Sequence, residues 1–244
     1  NHSEGNFTVE NNCIRYGLSA IKGIGKPVME AVEEERNRSG AFTSLKNFVE
    51  RMTGKELNKR IIENFIKSGA FDCLDGTRKQ MMMIYIQVMD TVNREKKESM
   101  TGQMSLFDFM GEEEKKEYEI KMPPVGEYSK ESRLAFEKEV LGVYISGHPL
   151  EEYEEQWRRG ISAVTLDFQP DEETGQPRIR DGEKVIVGGM ITEKSIKYTK
   201  NNKTMAFLTL EDLVGTVEIL VFPRDYEKNA SRMEVDAKVF IQGR

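Results

Sequence analysis

The sequence predicts a multidomain α and β chain. An all-α region comes first, then an acidic linker and a helical connector, and last a small β-barrel that stops before its final strand. Three observations predict it. Apolar residues recur at three and four up to Val92, the period of one helix face. They alternate at two from Val185 onward, the period of a strand. Between these regions lie two charge-rich flanks, Asn93 to Ser99 and Gly111 to Glu117, with few apolar residues to offset their ordering entropy. The expected boundaries are 1–98 for the helical domain, 99–127 for the linker, 128–183 for the connector and 184–244 for the barrel.

Composition narrows the function classes. At 244 residues, 38% hydrophobic and 32% charged, the chain has room for two modest cores and a flexible segment. No apolar run approaches the length of a membrane span, and no basic-then-apolar leader opens the chain, so a cytoplasmic protein with no membrane partner is expected. Two cysteines (Cys13, Cys73) and two histidines (His2, His148) make no ligand-spaced set, so no metal site and a reducing compartment are expected. The chain opens on Asn1 rather than Met and is read as a piece of a longer polypeptide. The net charge of −6 is unevenly spread. Residues 1–80 carry +2, residues 81–183 carry −10 and residues 184–244 carry +2, so both ends stay mildly basic where contact with phosphate would be made.

In order, Ile14 to Ile21 leads into the tight break Lys22-Gly23-Ile24-Gly25-Lys26-Pro27, and a helix is expected from Pro27 to Arg38. Val28, Ala31 and Val32 make its apolar stripe, and Pro27 suits a first turn, where its missing N–H is no loss. Helices are expected over Ser44–Met52 and Lys55–Lys67, then from Thr77 to Glu98, and residues 14–92 read as mainly helical. A helix from Ser129 and a short polar one over Glu151–Arg159 follow. Strands are expected at Val185–Ile191, Met205–Glu211, Val217–Phe222 and Lys238–Gln242, with a turn at Asp212–Gly215 and a helix from Pro223 to Met233. Three coiled strands, a helix and a fourth strand follow the order of an OB-fold, with the chain ending at Arg244 before the closing strand.

Two stretches carry nucleic-acid chemistry. Ile21-Lys22-Gly23-Ile24-Gly25 has the hydrophobic-x-Gly-hydrophobic-Gly pattern of a helix-hairpin-helix. Its glycines permit close backbone approach, and the N–H groups opening the following helix suit a phosphate oxygen without reading a base. Lys22, Gly23, Ile24, Gly25 and Lys26 are therefore the candidate duplex contacts, against the plainer reading of a glycine turn that holds two helices close. Lys67-Ser68-Gly69-Ala70-Phe71 is a degenerate second copy and reads better as structural. Lys194, Lys197, Lys200 and Lys203, with Tyr198 among them, are the candidate single-strand contacts on the barrel, cations for phosphate and an aromatic face for a base. The alternative is a solvated lysine-rich hairpin. His148, before Pro149 with no Ser or Cys beside it, reads as structural. No Asp-x-Asp pair and no phosphate-cradling Gly-rich loop with Lys occur, so no catalytic residue is assigned.

The linker holds one further feature. Gln103-Met104-Ser105-Leu106-Phe107 sets adjacent large apolar residues among charges, and such residues need a pocket to enter. The form Gln-x-x-Leu-Phe resembles the peptide by which bacterial replication proteins dock on a sliding clamp, with Gln103, Ser105, Leu106 and Phe107 as contacts. The plainer reading is a cap on the preceding helix.

Taken together the chain resembles the C-family replicative polymerases of bacteria, the DNA polymerase III alpha subunits. Ile14 through Gly25, Leu57-Asn58-Lys59-Arg60 with Lys67 through Asp72, Glu139 through Leu150, and Thr199 through Phe207 with Glu211 through Glu218 carry the resemblance. It implies duplex DNA, single-stranded template, the sliding clamp and other replicase subunits as partners. It also implies template-directed synthesis with magnesium for the whole enzyme. The palm and its catalytic aspartates would precede this stretch, which is expected to be inactive alone and to hold no cofactor. The alternatives are a stand-alone DNA-binding accessory protein of replication or repair, and a structural connector without salt-dependent DNA affinity.

Overall fold

The computed structural model describes residues 1–100, 120–171 and 174–244. The predicted clamp peptide, Gln103 to Phe107, lies outside the described residues. The chain divides into two compact units, Asn1–Ser146 and Gly147–Arg244.

The N-terminal unit is helical, as expected, with one addition. Strands β1 (Thr8–Glu10) and β2 (Cys13–Arg15) pair antiparallel across Asn11-Asn12. Both asparagines sit at positive φ, 51° and 61°, the twist that a two-residue hairpin turn demands and that asparagine tolerates. Three residues per strand are too few to show a period, so the sequence read from Ile14 as the approach to a helix.

Helices α1 (Lys26–Ser39), α2 (Leu45–Met52), α3 (Lys59–Lys67) and α4 (Arg78–Met100) follow, and α5 (Lys130–Leu141) closes the unit. Side-chain caps start several of them: Ser44 accepts from the Asn47 N–H, Asn58 from Ile61 and Ser129 from Ser132. Helix α3 begins later than the apolar spacing predicts because Gly54 (φ 91°) and Glu56 (φ 58°) turn the backbone left-handed first. The core is one cluster drawn from all five helices, and Met52, Ile62, Phe65 and Met81 are at most 1% exposed. Phe48 meets the rings of Phe42 and Phe71 edge-on at 4.8 Å each, an arrangement worth about 0.5–1.5 kcal/mol per pair beyond area burial.

Two charged posts stand inside this unit. Glu35, 2% exposed, is met by Lys55 at 3.0 Å, Arg51 at 3.2 Å and Arg38. The Lys55 ammonium foremost, helped by the two arginines, outweighs burial and holds the Glu35 carboxyl down at about 2. Arg78 donates to Asp72 at 2.7 Å and to Glu137 at 3.0 Å. Glu137 is fully buried and also accepts the N–H groups of Ile145 and Ser146 at 2.8 and 2.9 Å. Burial alone would raise its pKa, but those two amides and Arg78 win and lower it.

The C-terminal unit opens with a single-turn 3-10 helix at Glu151–Tyr153 and α6 (Glu154–Gly160). The curled antiparallel sheet that follows has the order β5-β4-β3-β6, consistent with an OB-fold half-barrel. Its strands are β3 (Val185–Tyr198), β4 (Thr204–Glu211), β5 (Thr216–Val221) and β6 (Lys238–Gly243), with α7 (Pro223–Asn229) between the last two. Strand β3 runs seven residues past its predicted end at Ile191. Its first half pairs with β6 and its second with β4, so one strand curls to serve both neighbours. Gly188 and Gly189 permit that curl: a Cβ on Gly188 would come within 2.7 Å of the Phe240 ring, and one on Gly189 within 2.5 Å of the Glu211 carbonyl. Trp157 covers this point and donates from Nε1 to the Gly188 carbonyl at 2.6 Å. The turn after β4 is held by Asp212, which accepts from the Thr165 N–H and hydroxyl at 2.8 Å and from Val214 and Gly215 at 2.9 Å.

Candidate nucleic-acid interface

In the N-terminal unit the predicted hairpin forms as a turn pinned from beneath. Ile21 (3% exposed) and Ile24 (7%) enter the core, and the Ile24 N–H is taken by the Ile21 carbonyl at 3.1 Å. Ile24 is thus an anchor, and its amide is not offered to a ligand. Lys22, Gly23, Gly25 and Lys26 are left exposed. Gly23 takes φ +78°, which a side chain would strain. Gly25 is the N-cap of α1 and has no side chain to supply a cap, while Pro27 follows in the first turn. Among the described residues the N–H groups of Gly23, Gly25 and Lys26 meet no acceptor. Amides without an acceptor at Gly25 and Lys26, where α1 starts, and at Gly23 just before it, beside a lysine on each flank, can hold a phosphate oxygen. Two bonds fix the turn from behind: Lys22 donates its N–H to the Val140 carbonyl at 2.8 Å and receives the Asn64 side chain on its own carbonyl at 2.6 Å.

The second glycine break works differently. Around Gly69 the amides of Ser68, Gly69 and Ala70 return to the carbonyls of Asn64, Ile66 and Phe65, closing the end of α3. A Cβ on Gly69 would fall 2.2 Å from the Arg78 guanidinium. That space belongs to the buried Arg78 post, so this break is structural.

On the sheet, the predicted lysines divide between two faces. Thr192 is an extra residue in β3, opposite no partner, since Ile191 pairs with Leu210 and Glu193 with Thr209. Before it, odd positions (Val185, Val187, Ile191) face the core; after it, even positions do. Lys194, Ile196 and Tyr198 therefore lie opposite Leu208, Ala206 and Thr204 on the core side, while Lys197 lies opposite Met205 on the outer side. Lys194 is bound to Glu234 at 2.9 Å with its side chain 14% exposed. Tyr198 is open at 72%, at the far end of β3, and Lys200 and Lys203 are exposed on the loop that follows. The outer face instead brings together Ser195, Phe207 and Leu220 in one row across β3, β4 and β5. Phe207 and Leu220 were not among the predicted contacts. Each lies on its own strand, and only the pairing of β4 with β5 sets them side by side.

His148 accepts the Leu150 N–H on Nδ1 at 3.1 Å and lies 3.6 Å from Glu211, in keeping with a structural role. Among the described residues no three of His, Cys, Asp and Glu gather where a metal could sit. The magnesium implied for the whole enzyme finds no fit there. Nor, among those residues, is any helix long and apolar enough to cross a membrane.

Residues 1–81 match a helix-hairpin-helix motif model and residues 185–244 an OB-fold nucleic acid binding domain model. Aquifex aeolicus DNA polymerase III subunit alpha is 32% identical over 244 residues, covering 100% of this chain and 18% of the relative. From end to end, the chain is similar to DNA polymerase III subunit alpha. The Treponema pallidum alpha subunit is 38% identical over 234 residues, 95% of this chain and 19% of its own length. That of Borreliella burgdorferi is 33% identical over 228 residues, 93% and 19% respectively. The chain thus spans about a fifth of the alpha subunits it matches.

Proposed function

We propose that this chain is the DNA-holding and clamp-tethering part of a bacterial replicative polymerase alpha subunit. The observation that carries the reading is the match of the whole chain, at about a third identity, to proteins of that name. In this reading the hairpin at Gly23 and Gly25 follows the phosphates of duplex DNA through the amides that have no acceptor among the described residues. The sheet meets the single-stranded template through Lys197, Lys200, Lys203 and Tyr198, joined by Phe207 and Leu220. The peptide Gln103, Ser105, Leu106 and Phe107 enters a pocket on the sliding clamp, so that a polymerase that lets go of DNA rebinds as an intramolecular event. Synthesis itself, with its magnesium, and contacts with other replicase subunits belong to the rest of the enzyme, in the cytoplasm.

The test is binding of the chain to a bacterial sliding clamp beside a Leu106→Ala, Phe107→Ala variant. Binding by the parent and at least tenfold weaker binding by the variant is expected. Equal binding, or none by either folded protein, would remove the tether from the reading and leave a DNA-binding module.

A further inference from the structure

Beside the hairpin lies a cavity of about 390 Å3, lined by Lys22, Lys59, Arg60, Lys67 and the carboxylates Glu63 and Glu139. Asn64 joins it to the hairpin: its side chain holds the Lys22 carbonyl and lies 3.3 Å from where a Gly23 Cβ would stand. Arg60, Asn64 and Lys67, spaced four and three apart, share one face of α3.

The cations lining this cavity are not equivalent. Lys67 is held by Glu63 and Glu139, each at 3.0 Å. Burial would lower its pKa, but the two carboxylates outweigh burial and raise it. Lys59 meets Asp90 at 3.0 Å. Lys22 and Arg60 form no ion pair among the described residues. Two uncommitted cations on a cavity wall, one a planar guanidinium suited to two oxygens at once, match a phosphate. Among the described residues no aromatic side chain lines the cavity, so a base would find nothing there to stack on.

We propose that this groove is a second phosphodiester seat, formed by Arg60 with Lys22, for the backbone phosphate next to the one at the hairpin on the same DNA strand. The inference rests on the reading of the hairpin as a duplex contact. Glu63 and Glu139 keep the seat weak by occupying Lys67, which suits a protein that must let DNA slide.

The test is binding of a labelled duplex across a salt series by the parent chain, Arg60→Ala, Arg60→Lys, Glu139→Gln and Gly23→Val, with thermal melts as the folding check. Arg60→Ala is expected to bind several-fold more weakly at low salt, with a log–log salt slope shallower by about 0.9. Arg60→Lys is expected to keep the slope. Glu139→Gln, which removes one of the two carboxylates on Lys67, is expected to bind more tightly. If Gly23→Val loses binding while Arg60→Ala keeps the parental slope, the second seat is overturned and the hairpin reading stands. If the parent shows no salt-dependent duplex binding, the hairpin reading falls and takes the seat with it. A chain that binds inorganic phosphate through Arg60 without any change in the DNA slope would have an anion site, not a strand contact, and would also overturn the proposal.

Discussion

The hairpin of the N-terminal unit and the sheet of the C-terminal unit are equipped for nucleic acid by opposite means. The hairpin offers main-chain N–H groups at Gly23, Gly25 and Lys26, fixed from below by Ile21 and Ile24. The sheet offers side chains, and which ones it offers depends on how β3 alternates. A backbone contact survives most side-chain changes but depends on a few torsion angles; a sheet contact tolerates small backbone shifts but depends on register. The hairpin could therefore be read from glycine spacing, whereas a list of lysines on a strand could not say which of them share a face.

The strongest way to break the comparison is to destabilise one unit alone. Glu137→Leu strips the buried Arg78 of a partner and frees the amides of Ile145 and Ser146. A loss of about 3–5 kcal/mol is expected for the N-terminal unit. Calorimetry should show that transition fall while the sheet's stays in place; a joint fall would mean that the units unfold together.

Phe207→Ala sharpens the contrast from the other side. If the outer row is the base platform, single-strand affinity drops by about 1–3 kcal/mol while duplex affinity holds. An unchanged single-strand titration would move the platform to Tyr198.

Acid probes the N-terminal unit through Glu35, whose pKa is held at about 2 against an ordinary 4.5. Because the folded value is depressed, its stabilisation is fully present above pH 4.5 and is lost as pH falls through about 2. Acid unfolding followed by the helical circular dichroism signal should track that window, and Glu35→Gln should flatten it. The smallest effect separates two lysines on one strand. Lys197→Ala should make the single-strand salt slope shallower by about 0.7, and Lys194→Ala, already paired with Glu234, should leave it alone.

The legible parts of the fold were those with long periods or strong punctuation. Helices α1, α2 and α4 stand within about two residues of their predicted ends, because apolar stripes and caps act locally. The antiparallel strands and the order of the barrel were also readable. The β1–β2 hairpin was not, since strands of three residues show no period, and neither was the late start of α3, which follows from a left-handed Glu56 that no propensity announces. At the site, the hairpin turn was found but Ile24 proved to be its anchor. Arg60 and Phe207 were missed for one reason: their company comes from tertiary packing, with Arg60 brought to Lys22 from a separate helix and Phe207 to Leu220 across a sheet.

Thr192 has a consequence for how β3 can change. By occupying a position without a partner, it shifts the phase of the alternation midway, so the same strand obeys one rule before it and the reverse rule after it. Substitution at Thr192 leaves that phase untouched, because phase depends on counting and not on chemistry. Removing the residue would leave Ile191 followed directly by Glu193, in step with Leu210 and Thr209, so ordinary alternation would keep Lys194 and Ile196 on the core side and Ser195 and Lys197 outward. What Thr192 supplies is thus the local bend of the strand, not the faces of the residues beyond it.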